Sequence, residues 1–131
     1  MSRFLLERAD HDKIINAPFL PGSFLLMRRE ALEAEGLFDE RFFMYPEDID
    51  ITRRLHRRWL TLHYPAVSIE HCHAAASRHS LRMLLIHSVN MIRYFNKWGW
   101  LHDPERRAMN RRLEAEMPLL PPDVPSPRSR G

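Results

Sequence analysis

The sequence predicts an α/β fold, and three observations carry that prediction. A continuous apolar run, Phe24-Leu25-Leu26-Met27, follows the breakers Pro21-Gly22 and suits a buried strand. A partly alternating stretch from Thr61 to His71 reads as a second strand. Around them stand segments of helical character at 28–35, 46–59, 81–98 and after Asp103-Pro104.

A chain of 131 residues, 44% hydrophobic, can form one ordinary domain or a piece of a larger one. No apolar run approaches the ~20 residues that a membrane-spanning helix needs. Phe4-Leu5-Leu6 is too short for a signal-peptide core and is followed at once by charges. The single cysteine, Cys72, excludes an internal disulfide framework and fits a reducing, cytoplasmic compartment. Charge is unevenly placed: residues 1–77 hold 10 basic and 12 acidic side chains, residues 78–131 hold 10 and 5. The basic C-terminal half points to an anionic partner or, equally, to a soluble Arg-rich surface.

Taken in order, residues 1–16 read as a lead-in with too little apolar content for an element of its own. Asp10-His11-Asp12 has the two-carboxylate spacing of a divalent-metal site, but its flanks are polar where such a site follows a buried strand. Gly22 allows a turn or a close approach to a ligand. Gly36 ends the helix 28–35 at a left-handed cap. The aromatics Phe38, Phe42, Phe43 and Tyr45 have a core role as their default.

At Pro46 the chemistry changes. Proline suits the first position of a helix, and Glu47, Asp48 and Asp50 load its first turn with negative charge. Asp48, Ile51, Thr52, Leu55 and Trp59 share one face at three- and four-residue spacing, with Arg53, Arg54, Arg57 and Arg58 elsewhere. Asp48 is thereby expected at the edge of the core. On physical grounds it is either a helix-dipole partner, stabilising by ~0.3–1 kcal/mol, or a functional base. Asp50 and Arg54 form an i,i+4 pair.

His71 and His73 face one side of an extended chain, with Cys72 between them, yet no second ligand pair has zinc-finger spacing. Leu81 to Trp98 is the clearest amphipathic helix: Leu81, Leu84, Leu85, Met91, Ile92, Phe95 and Trp98 follow helical spacing against Arg82, Asn90, Arg93 and Lys97. Its apolar side is expected on the core, and its aromatic end, Tyr94 to Trp100, is also suited to a membrane surface. Asp103-Pro104 opens a last helix that ends near Met117. The proline-rich stretch 118–131 reads as an extended, disordered tail. The expected divisions are thus 1–16, 17–80, 81–117 and 118–131.

The order of these pieces carries a resemblance. Gly22-Ser23, Met27-Arg28-Arg29-Glu30-Ala31-Leu32, Gly36-Leu37-Phe38-Asp39-Glu40, Phe42-Phe43-Met44-Tyr45, Glu47-Asp48-Ile49-Asp50 with Arg54, and His71 closing a strand resemble the C-terminal half of a family 2 glycosyltransferase. The likeness covers about residues 17–112 and is nearest to the bacterial rhamnosyltransferase-like group that builds O-antigen, capsule or exopolysaccharide. It implies part of a GT-A-type fold, a few strands with flanking helices and a helical C-terminal segment. It implies a nucleotide-sugar donor, a polysaccharide or lipid-linked acceptor, and a divalent metal, Mn²⁺ or Mg²⁺.

By the same resemblance, Asp48 is the general base of an inverting transfer and Glu47 its catalytic companion. Gly22, Ser23, Tyr45 and Arg54 are substrate-binding candidates, Arg54 with a bracing role as its alternative, and His71 is a metal ligand. The family's donor-binding half, with its metal-binding Asp-x-Asp, has no counterpart here, so this chain alone is expected to bind nucleotide-sugar weakly or not at all. A donor-half partner chain or homo-oligomer would complete it, at the inner face of the plasma membrane. The rival reading is a non-catalytic acceptor- or partner-binding module. Nucleic acid is disfavoured as a partner, because acids open the Arg-rich helix where a recognition helix offers neutral or basic groups.

Overall fold

A computed structural model describes residues 9–42, 44–70 and 81–119. In chain order the elements are β1 (Ile15–Asn16), α1 (Arg29–Glu35), α2 (Glu47–Leu55), β2 (Leu62–His63), α3 (Leu81–Trp98) and α4 (Pro104–Glu116). Strands β1 and β2 pair antiparallel, Ile15 opposite His63 and Asn16 opposite Leu62. The described residues therefore combine helices with one small sheet, an arrangement compatible with the α/β class.

Local signals set some of the helix ends. Gly36 adopts φ 83°, and Gly36 and Leu37 return N–H bonds to Glu33 and Leu32 to close α1. The Asp103 side chain caps α4 by accepting the Arg106 N–H, with Pro104 in the first turn, as the sequence predicts. Helix α3 also has its expected bounds.

Among the described residues, two small apolar clusters stand in the core, beside the buried Phe42 and Tyr94. Ala31, Ile51 and Leu55 join α1 to α2, with Met27, Leu32 and Trp59 against them. Ala9, Ile15, Leu113 and Met117 join β1 to α4. Thr61 ties the sheet to the end of α2: its N–H donates to Asn16 Oδ1 at 3.0 Å, and its hydroxyl lies 2.6 Å from His56 Nδ1.

Several expectations need correction. Residues 24–27 form no strand: Phe24 is 64% exposed and Leu26 96%, because no described segment offers this run a ladder partner. The strand expected over 61–71 shortens to Leu62–His63, since Pro65 lacks the N–H that would extend the ladder. The lead-in does take part in structure, supplying β1 and the buried Ala9. Pro46 stands at the N-cap of α2 rather than inside it, and the helix stops at Leu55, with Arg57, Arg58 and Trp59 in hydrogen-bonded turns. Pro118 and Leu119 pair with Asp10 and Ala9, so the start of the expected tail is tied down. The rest of the tail and residues 71–80, with His71, Cys72 and His73, lie outside the described residues.

The largest correction concerns which faces turn inward. Helix α2 buries Asp50 and Arg53 beside Ile51, Thr52 and Leu55, so the arginine side is not wholly outside. Helix α3 buries Asn90 and Tyr94 and leaves Leu81, Leu84, Leu85, Val89 and Ile92 exposed. Its inner face meets carboxylates and a carbonyl, which need donors rather than methyl groups. Polar complementarity outweighs apolar burial there.

Candidate active site

The site is assembled around the first turn of α2. Asp48 Oδ2 accepts the Gly22 N–H at 2.8 Å, across 26 residues of sequence, and Asp48 Oδ1 accepts the Ile49 N–H at 2.8 Å. A Cβ on Gly22 would lie 3.1 Å from Asp48 Cβ and 3.3 Å from Oδ2, a tight contact that would press the carboxylate by a few tenths of an ångström. Ser23 follows on the exposed side of the same turn. The two carboxylates foreseen as a pair are thus placed differently: Asp48 is oriented by backbone donors, while Glu47 Oε2 is buried with no hydrogen-bond partner among the described residues. Burial pushes the Glu47 carboxyl above its ordinary value, and the neighbouring Asp48 charge pushes the same way. Carboxyl groups with unlike surroundings are the usual basis for dividing proton-transfer roles.

The segment ahead of α2 is held in an unusual shape. Tyr45 has φ 84°, a left-handed conformation that costs a bulky residue ~1–2 kcal/mol. Two contacts from α3 hold it: Asn90 Nδ2 donates to Met44 O at 3.0 Å, and the His87 ring meets the Tyr45 ring edge-on at 4.4 Å.

Behind the turn lies a polar network that pattern reading missed. Asp50, fully buried, accepts Arg54 Nε at 2.9 Å, Trp98 Nε1 at 2.8 Å and Lys97 Nζ at 2.7 Å. The anticipated Asp50–Arg54 pair is present, but it belongs to this larger set. Arg54 also donates to the carbonyls of Glu35 and Leu37 at the end of α1, so its described partners are protein groups and its geometry is that of a brace. Lys97 reaches Asp39 at 2.7 Å as well. Hydrogen bonds from Arg41 first, and from Lys97 against opposing burial, hold the Asp39 carboxyl well below the ordinary range.

A second network fixes α2 to α4. Arg53 donates to both Asp103 oxygens at 2.7 Å and to Glu105 at 2.9 Å, and its guanidinium lies 4.1 Å from the Trp98 ring centroid. The sequence signal for both networks was weak. It consisted of carboxylates with donors about fifty residues away, a spacing that no local pattern marks.

No three His, Cys, Asp or Glu side chains converge as a metal site among the described residues, Asp10-His11-Asp12 included. Asp10 instead accepts the Asp12 N–H and pairs with Lys13 at 3.3 Å. Also among the described residues, no helix is long and apolar enough to cross a membrane.

A 54-residue stretch of the chain is 46% identical to N-acetylglucosaminyl-diphospho-decaprenol L-rhamnosyltransferase from two strains of Mycobacterium tuberculosis. The match covers 40% of this chain and 18% of the mycobacterial enzyme's length. No protein-family model matches the sequence, and no solved structure does. The partial identity relates the chain to a glycosyltransferase, an enzyme whose name specifies a lipid-linked sugar acceptor.

Proposed function

We propose that this chain is the acceptor side of an inverting family 2, GT-A-type glycosyltransferase that moves a sugar from a nucleotide-sugar to a lipid-linked or growing polysaccharide acceptor. The partial identity to a rhamnosyltransferase supports the reaction class. The single observation that carries the site assignment is Asp48, held at the start of α2 by the Gly22 N–H with its carboxylate partly open.

In this reading the acceptor hydroxyl approaches Asp48. Its oxygen attacks the anomeric carbon as the carboxylate takes the proton, and the bond from that carbon to the donor's diphosphate breaks on the opposite face. Configuration inverts, and the nucleoside diphosphate leaves. Glu47, pushed toward its neutral form, supplies a hydrogen-bond donor or acceptor beside the attacking oxygen. Gly22, Ser23 and Tyr45 shape the acceptor pocket, and Arg54 keeps the acidic turn in place. The resemblance also implies a divalent metal. The described residues do not form a site for it.

The donor-binding half would come from further polypeptide or a partner, at the cytoplasmic face of the membrane that carries the acceptor. The exposed Phe24 and Leu26 suit packing against such a half. The same observation favours a second reading, a non-catalytic module that only presents the acceptor. Asp48→Asn in the enzyme completed by a donor-binding half separates the two. Loss of a general base lowers turnover by about 10²–10⁴-fold. Near-normal turnover with intact folding would remove Asp48 from the mechanism.

A further inference from the structure

Two hollows that share Arg93 lie along α3. One, of about 280 Å³, is lined by Arg41, Phe42, Arg93, Asn96 and Lys97. The other, of about 270 Å³, is lined by Leu85, Ile86, Val89, Asn90 and Arg93. The first is cationic and the second apolar. Arg93 belongs to both.

The charges of the first hollow are not equally engaged. Lys97 is paired with Asp39 and Asp50, and Arg41 is paired with Asp39. Arg93 is held by neutral acceptors, Arg41 O at 3.0 Å and Asn90 Oδ1 at 3.3 Å, and has no carboxylate partner among the described residues. It is exposed, and the 18 residues of α3 contain neither Asp nor Glu. An exposed guanidinium without a described carboxylate partner, on an acid-free helix, suits phosphate oxygens, which it can bind with two parallel N–H donors. The apolar stripe continues past the second hollow to Leu81, which is 81% exposed.

A second copy of the chain fits this face poorly. Paired helices carry complementary charges beside their apolar seam, whereas here only Arg82, Arg93 and Lys97 would meet their own copies. The charge complement of this face is an anion attached to something apolar.

We propose that the two hollows form one binding site for a lipid phosphate. Arg93, supported by Arg41 and Lys97, takes the phosphate or diphosphate, and Leu85, Ile86 and Val89 take the first units of the apolar chain. The inference rests on the proposed lipid-linked acceptor for its choice of a polyprenyl chain. It joins that acceptor to the candidate active site through Asn90, which lines the apolar hollow and donates to Met44 O.

The test is co-sedimentation of the whole chain with phosphatidylcholine vesicles containing a polyprenyl diphosphate. Phosphatidylglycerol vesicles of equal charge and inorganic pyrophosphate serve as comparisons. The expected result is binding to polyprenyl diphosphate vesicles about tenfold or more tighter than to phosphatidylglycerol, with weak competition by pyrophosphate. Arg93→Gln should weaken it about tenfold to a hundredfold, Arg93→Lys less, and Val89→Ser should weaken it without altering pyrophosphate binding. Circular dichroism of each variant confirms an intact fold. Equal affinity for phosphatidylglycerol would show a general anionic-membrane surface, and equal affinity for pyrophosphate a plain anion site. Either result overturns the inference, as does indifference to Arg93→Gln or absence of binding. The assay involves no sugar transfer, so its failure leaves the Asp48→Asn test standing, and the reverse also holds.

Discussion

Replacing Asp103 with asparagine removes one charge and keeps the shape. In the native protein Asp103 is buried and accepts two 2.7 Å bonds from Arg53, whose side chain is 5% exposed. Taking one partner out of a buried ion pair costs roughly 3–5 kcal/mol, because the other charge stays buried without compensation. Two features place this case at the lower end. Glu105, about one-third exposed, remains on Arg53, and asparagine caps a helix about as well as aspartate, so the Arg106 N–H keeps an acceptor. The expected loss is ~3 kcal/mol, which for a chain of this length lowers Tm by roughly 10 °C.

Urea unfolding followed by far-UV circular dichroism measures it directly. The sign with pH is also fixed. Burial opposes the Asp103 charge, but the Arg53 and Arg106 donors win and hold its carboxyl below the ordinary value. Its contribution is therefore full above the unfolded value of ~3.9 and is lost as pH falls through the lower, folded one. The gap between wild type and Asp103→Asn should be complete at neutral pH and close under acid. A loss below ~1 kcal/mol at neutral pH, or a gap unchanged by acid, would refute the view that this pair anchors α4.

Two further predictions concern the candidate site. Gly22→Ala presses on the Asp48 side chain by a few tenths of an ångström: it should cost only ~1 kcal/mol of stability, yet lower turnover of the completed enzyme by up to ~100-fold. Unchanged turnover would separate the Gly22 contact from catalysis. Glu47→Gln should stabilise the chain at neutral pH, since burial raises the Glu47 carboxyl and the fold disfavours its charge. That gain should vanish as pH falls below ~4.3, and urea melts on both sides of that pH would expose a wrong sign.

What could be read from the sequence divides by the range of the forces involved. Gly36, Asp103-Pro104 and the bounds of α3 depend on neighbours one to four residues away, and the residues themselves announce them. Strands depend on partners. Phe24 to Met27 has strand composition but no described ladder to join, and Leu62–His63 pairs only as far as Ile15–Asn16 allows. The inward face of α3 departs from its apolar pattern for a related reason. Its periodicity was correct, but Asp39, Asp50 and Met44 O claimed the polar side from far along the chain. Asp48 and Gly22 are each legible alone, as a dipole partner or base and as a close-approach glycine, and the resemblance adds their roles; that they touch cannot be inferred from spacing.

The bridge between Ala9 and Leu119 has an architectural consequence. With Asp10 N–H bonded to Pro118 O at 2.8 Å beside it, the two ends of the described fold leave side by side. A unit whose entry and exit coincide can be carried as a lobe on a single stalk, because polypeptide added at either end departs from one place. Fusion at both ends therefore leaves the circuit from β1 through α4 topologically undisturbed.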